Sequence, residues 1–188
     1  MMQCLKEYSK FVEITGYRNI AFAKAEEFLK FNRKRNIPDI EIQFFDADLI
    51  ASPQHLYFAI INALQAFQNK TNISKSPAME TILYASAQRQ IQKAIQRIGI
   101  KPETVNIAVT VISKSPTKLN TAIQSITHCF SSEPDDKVLE MSKNKTNRII
   151  KTFQITDKEL KTTMKNNNFQ ETIVNLIIER AALLATQI

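Results

Sequence analysis

Two glycines in 188 residues, Gly16 and Gly99, limit what this chain can fold into more than any other feature. Average usage near 7% would supply about thirteen. A P-loop needs glycines separated by four residues ahead of Lys-Ser/Thr, and a dinucleotide-binding turn needs three, so that backbone N–H groups can reach a pyrophosphate. Neither motif occurs. The two glycines read instead as punctuation: Gly16 ends a strand at a position able to take a positive φ, and Gly99 suits a left-handed C′ position after a helix, with Pro102 just beyond.

The clearest pattern lies between Ala78 and Gly99. Two helical segments meet at Ser86, a favoured N-cap residue, and the second runs to Gly99. Along it Ile91, Ala94, Ile95 and Ile98 recur at i, i+3, i+4 and i+7, which predicts one buried face. Arg89, Lys93 and Arg97, each four residues from the next, predict a cationic stripe beside that face. The polar loop from Asn69 to Pro77 is expected to bring Lys70 and Lys75 next to it.

Elsewhere the punctuation is regular. Strands are predicted at Lys10–Thr15, at Ile40–Phe45 from its alternation, and at the β-branched run Thr104–Ile112, which is apolar nearly throughout and therefore central. A helix is expected from about Asn19 to Asn32, with Ile20, Ala23, Phe28, Leu29 and Phe31 in its window and the cations Arg33, Lys34 and Arg35 at its end, a solvated helix end. Ser52-Pro53 and Ser115-Pro116 pair an N-cap with proline at the first helical position, opening helices to about Gln68 and Cys129. Lys137–Met141 reads as a short strand, Ile149 to Phe153 as a helix, Thr156 or Asp157 as a further cap, and Asn166–Asn168 as a turn.

The segment from Phe169 to about Thr186 is apolar on more than one stripe. Such a helix is either buried on several sides or packed on the core with a partner protein along Ile173, Leu176, Ile177 and Leu184, near Arg180. The expected class is α/β (α+β): one domain over 1–188, with a small mixed, largely antiparallel sheet surrounded by helices and a long apolar C-terminal helix.

Candidate chemistry is sparse. His55 falls in the first turn of a helix, where a neutral imidazole is favoured, and with only His128 elsewhere a metal site lacks ligands, so it reads as a packing and hydrogen-bonding residue. His128 and Cys129 are adjacent, and neighbours on a helix point about 100° apart, which is wrong for a base facing a thiol. Tyr84, between Leu83 and the helix end, reads as a core or rim residue. No catalytic residue, cofactor or metal is expected. A net charge of +7 and a pI near 9.4 suit an anionic partner. No apolar run reaches the ~20 residues of a membrane span, and the N-terminus lacks a signal-peptide core, so a cytoplasmic location is expected, or a nuclear one in a eukaryote, with Cys4 and Cys129 reduced.

Met79-Glu80-Thr81-Ile82-Leu83-Tyr84-Ala85-Ser86-Ala87-Gln88-Arg89-Gln90-Ile91, continuing through Ala94-Ile95 to Gly99-Ile100, resembles the signature of the kinase-binding (TPRKB, or PRPK-binding protein) subunit family of the KEOPS complex. Asp46–Ile50, Ser52 to Ala63, Asp136 to Glu140 and Glu179–Leu184 are similar to other segments of that family. Ala87 stands where the family commonly has glycine, which bears on whether the turn there takes a positive φ. The resemblance implies a small α/β protein without catalysis of its own. Its members bind the atypical kinase/ATPase subunit, support threonylcarbamoyladenosine modification of tRNA and bind the single-stranded tRNA 3′ end. It places Ser86, Gln88, Arg89 and Gln90 at the RNA site and the closing helix, with Ile173, Leu176, Ile177, Arg180 and Leu184, against the kinase. Lys93, Arg97, Lys70 and Lys75 extend the RNA site by spacing alone. The alternative is a pure protein adaptor whose cationic stripe is merely solvated.

Overall fold

Strands β1 (Gln3–Leu5), β2 (Lys10–Tyr17), β3 (Ile40–Asp46) and β4 (Ile107–Ser113) form one sheet in the order β1-β2-β4-β3, antiparallel at every pairing. The computed structural model describes residues 2–35, 37–164 and 168–186. β4 is central and buried along its whole length, and its register sets Gly16 opposite Ala108 and Phe44 opposite Val109. Strand alternation then divides the interior. Ile42, Phe44, Ile107, Val109 and Val111 point to one face, beneath helices α1 (Phe22–Arg35) and α5 (Pro116–Phe130). Phe45 and Ala108 point to the other, beneath α2 (Pro53–Asn69), α3 (Pro77–Ser86), α4 (Ile91–Ile98), α6 (Lys143–Phe153), α7 (Asp157–Thr163) and α8 (Phe169–Leu184).

Both glycines do something other than the sequence suggests. Among the described residues no glycine has a positive φ. Gly16 lies within β2, and a Cβ there would sit 2.3 Å from Val138 Cγ2 and 2.8 Å from the Asp135 carbonyl. The space admits Asp135, whose N–H donates to the Gly16 carbonyl at 2.8 Å, while Asp136 accepts from the Gly16 N–H and the Thr15 hydroxyl. This anchoring corrects the strand expected at Lys137–Met141. Asp136–Leu139 is a 3-10 turn capped by Asp135, which buries the adjacent Val138 and Leu139 together, as a strand with alternating sides cannot. Gly99 has φ −70° and ψ 165°, ordinary extended backbone, and is glycine because a Cβ would lie 2.6 Å from the Ile95 carbonyl.

The left-handed positions fall to other residues. Ser9, Asn19, Asp39, Lys70, Ala87, Ser131 and Gln154 have positive φ, and Lys70, Ala87, Ser131 and Gln154 cap the C-termini of α2, α3, α5 and α6. Each costs about 1 kcal/mol or more relative to glycine. Asn19, left-handed, cannot start a helix, so α1 begins at Phe22, with Ala23 and Phe31 turned outward. The helices opened by Ser52, Ser115 and Ser142 begin as their caps dictate, and Thr156 forms a capping box with Glu159. β4 begins at Ile107 because Thr104 closes a turn with Lys101. β1 has no counterpart in the sequence reading: three residues are too few for a pattern. The turn expected at Asn166–Asn168 lies, apart from Asn168, outside the described residues.

Candidate functional site

The corner between α3 and α4 is built from carbonyls. A helix leaves its last four C=O groups without partners in the helix, and here all four are bonded. The Leu83 carbonyl accepts from Gln88 N–H and the Tyr84 carbonyl from Ala87 N–H, both at 3.0 Å, a Schellman closure with Ala87 at φ 50° in the glycine's usual place. The Ala85 carbonyl accepts from His55 Nε2 at 2.8 Å, and the Ser86 carbonyl from Arg97 Nη1 at 3.1 Å. Because His55 Nδ1 accepts from the Ala51 N–H, the ring proton lies on Nε2. His55 is fully buried, and that desolvation lowers its pKa to about 4, against the pull of its bond to Ala85. It packs edge-on to Phe153.

Ser86 is therefore the last residue of α3 and not the N-cap of α4; that cap is Gln90, which makes no side-chain cap bond. The Ser86 side chain is buried with its hydroxyl on the Leu83 carbonyl, so it shapes the corner rather than facing solvent. Gln88 is half-buried, while Arg89 and Gln90 are exposed at the mouth of α4. Arg89 precedes the helix, so the stripe on α4 is Lys93 and Arg97. The buried face expected there is half realised: Ala94 and Ile98 are buried, but Ile91 and Ile95 are each 37% exposed.

Beside this corner an open groove of about 580 Å³ runs between α4 and α6. Five cations line it: Lys93 and Arg97 from α4, Lys101 beyond it, and Arg148 and Lys151 from α6, with Gln88, Gln96 and Thr152 between them. Arg97 spans the corner, with its guanidinium carbon 5.8 Å from the Phe153 ring centroid. Arg148 is clamped by Asp46 at 3.2 Å and Asp48 at 2.5 Å. Burial raises the pKa of Asp46 even against Arg148. Behind it Lys145 is buried, donates to the Val138 carbonyl at 2.9 Å and is pushed down to about 8 by desolvation, opposed by Asp48 and Asp46. Lys93 and Lys151 make no ion pair among the described residues and are exposed to solvent.

Lys101, Arg148 and Lys151 are not among the residues expected from the sequence. For the last two the signal is their i, i+3 spacing beside Ile149 and Ile150, legible as a charged edge only once the helix has a neighbour. Lys70 and Lys75 do not join the groove. Their loop meets the N-terminal end of α3, where Ile73 and Ser74 bond Glu80, roughly 15 Å of helix away from Ser86.

Of its two expected readings, α8 takes burial in the core, which displaces the partner face expected along the same residues. Ile173, Leu176, Ile177 and Leu184 are buried in this chain's own core and present no face to a partner. Arg180 is half-buried, bonding the Phe153 carbonyl and, at 2.6 Å, Glu159, whose carboxyl is held down to about 2 by the Thr156 N–H and by Arg180. Outside that core the helix carries Ile178, half-buried, with the exposed Ala182 one turn on, while Val174 packs against the core and Leu183, 48% exposed, lies on the opposite side of the helix from Val174. Burial pushes the Cys129 thiol up, and among the described residues no three His, Cys, Asp or Glu side chains gather to hold a metal. Among them too, no helix is long and apolar enough to cross a membrane.

Residues 17–185 match the family described as "Kinase binding protein CGI-121". The chain is 31% identical over 116 residues to the regulatory protein Cgi121 of Methanocaldococcus jannaschii, a match covering 62% of this chain and 72% of the relative. Identity is 28% and 27% over 105 residues to the EKC/KEOPS complex subunits CGI121 of Coccidioides immitis and Aspergillus terreus. Those matches cover 56% of this chain and 49% and 52% of the relatives, so the aligned part spans about half of each fungal protein.

Proposed function

The chain belongs to the CGI-121 kinase-binding family, and on that footing we propose that it is a non-catalytic regulatory subunit of a KEOPS complex. In this reading it binds the atypical kinase/ATPase subunit and the single-stranded 3′ end of tRNA, in support of threonylcarbamoyladenosine modification. The observation that carries the RNA half is the five-cation groove at the Ser86–Gln90 corner. Phosphates of a single strand are held by lysine and arginine, and base edges by amide side chains such as Gln88 and Gln96. The uncapped N-terminus of α4 adds positive potential at the same mouth. For the kinase, the outward side of α8 at Ile178 and Ala182, one turn apart, replaces the buried residues.

A gel-shift titration tests the RNA half. With about three phosphates neutralised the log–log salt slope is near −2, or about twentyfold weaker binding over a fourfold rise in salt. Intact tRNA is expected to bind more tightly than tRNA trimmed of its 3′ tail, and Lys93→Glu with Lys151→Glu to weaken it without unfolding the chain. Equal affinity for both RNAs removes the tail-binding claim, and full affinity in the double variant leaves a protein adaptor.

A further inference from the structure

The sheet face opposite the cationic groove carries a second cleft, about 890 Å³, between α1 and α5. Its floor is apolar, with Phe28, Phe31, Ile37 and Cys129, and Phe31 is 56% and Ile37 37% exposed. Large apolar side chains open to water in a helix-walled cleft have the form of a groove that takes an amphipathic helix. The rim has a sign. Lys30, Lys34 and Arg35 edge the cleft against a single carboxylate, Glu27. Lys30 is paired with Glu26 at 2.9 Å, but Lys34 and Arg35 make no ion pair among the described residues, and the Arg35 guanidinium lies 4.9 Å from the Phe31 ring centroid instead. The far wall, Thr121, Gln124, Ser125 and His128, carries no carboxylate to satisfy them.

We propose that the α1–α5 cleft docks an acidic amphipathic helix of a partner protein, its apolar stripe on Phe31 and Ile37 and its carboxylates on Lys34 and Arg35. The chemistry selects this occupant. A membrane surface favours apolar groups that project beyond the charged ones, whereas Phe28 and Cys129 are half-buried between the helices. A single-stranded nucleic acid needs a run of cations tracking its backbone, whereas here the cations stand on the α1 rim alone and the facing wall of Thr121, Gln124 and Ser125 is uncharged. The site lies on the other side of the sheet from the α4–α6 groove and is independent of the function proposed for that groove.

The test is fluorescence anisotropy of the full chain with a labelled helical peptide of about 18 residues, leucine at i, i+3, i+4 and i+7 and glutamate elsewhere. Saturable binding is expected, weakening about tenfold in Phe31→Ser and about threefold or more in Lys34→Glu. Phe31 is more than half exposed, so both variants are expected to keep the parent's melting temperature. The proposal is overturned by absence of saturable binding, by equal binding of a scrambled peptide of the same composition, or by unchanged affinity in Phe31→Ser. It is equally overturned if phosphatidylserine vesicles or a single-stranded RNA bind through the same residues more tightly than the peptide.

Discussion

Helices α4 and α8 exchange the roles their sequences assign them. α4 has a clean apolar face at i, i+3, i+4 and i+7, yet the protein covers only half of it, leaving Ile91 and Ile95 open. α8 is apolar on several sides, enough to suggest a surface left for a partner, yet Ile173, Leu176, Ile177, Ala181 and Leu184 are consumed by its own core. The difference lies in neighbours. α8 packs against α2, α3, α6 and α7, whereas α4, eight residues long, rests on α3 and stands at the rim of the groove. Periodicity states which side of a helix is apolar; how many elements surround the helix decides how much of that side is covered.

Substitutions in adjacent residues of α8 break the comparison most sharply. Ile177→Ala removes a fully buried side chain and is expected to cost about 3 kcal/mol in chemical denaturation. Ile178→Ala next to it is expected to cost under half as much, and Ile178→Lys to abolish kinase association while the chain stays folded. If Ile178→Lys leaves association intact, the outward side of α8 is not the kinase face.

The α3–α4 corner has a pH signature of similar size. His55 stays neutral in the fold down to about pH 4 but protonates near 6.5 when unfolded, so the unfolded state binds the extra proton between these values. Its contribution is complete above about pH 6.5 and is lost as pH falls toward 4, worth about 3 kcal/mol. Denaturation midpoints over that window, compared between the parent and His55→Gln, measure it; parallel pH profiles would show that the imidazole does not titrate as its burial requires.

A smaller effect tests the left-handed turn of the same corner. Ala87→Gly is expected to stabilise by up to about 1 kcal/mol, because φ 50° strains a residue with a Cβ by more than the glycine loses in unfolded-chain entropy. Smallest of all, Ile95→Gln on the open side of α4 is expected to change stability by about 0.5 kcal/mol or less. A loss near 2 kcal/mol would mean that this side is buried after all.

Part of the candidate groove is legible without coordinates. Gln88, Lys93 and Arg97 line the groove, and His55 takes the packing and hydrogen-bonding part its position suggested. Lys70 and Lys75 lie outside the groove, because closeness along the chain is not closeness in space and a whole helix separates them from the corner. Arg148 and Lys151 join the groove for the converse reason, since more than 50 residues separate them from Arg97 and only the packing of α6 brings them alongside.

The sequence by itself determined where α2 and α5 begin, through a serine cap followed by proline, and which strand is central, because capping and strand preference act within a few residues. It determined too that no glycine-rich phosphate loop is available. Gly99 answers to the Ile95 carbonyl of its own helix end, whereas only the tertiary structure decided what Gly16 is for, since contact with Val138 Cγ2 requires a Cβ-free position whatever its φ. It alone decided that alanine, lysine, serine and glutamine take the left-handed caps, and which apolar faces are covered. Those outcomes rest on which elements meet, and a helix or strand does not carry in its own residues the identity of its neighbours.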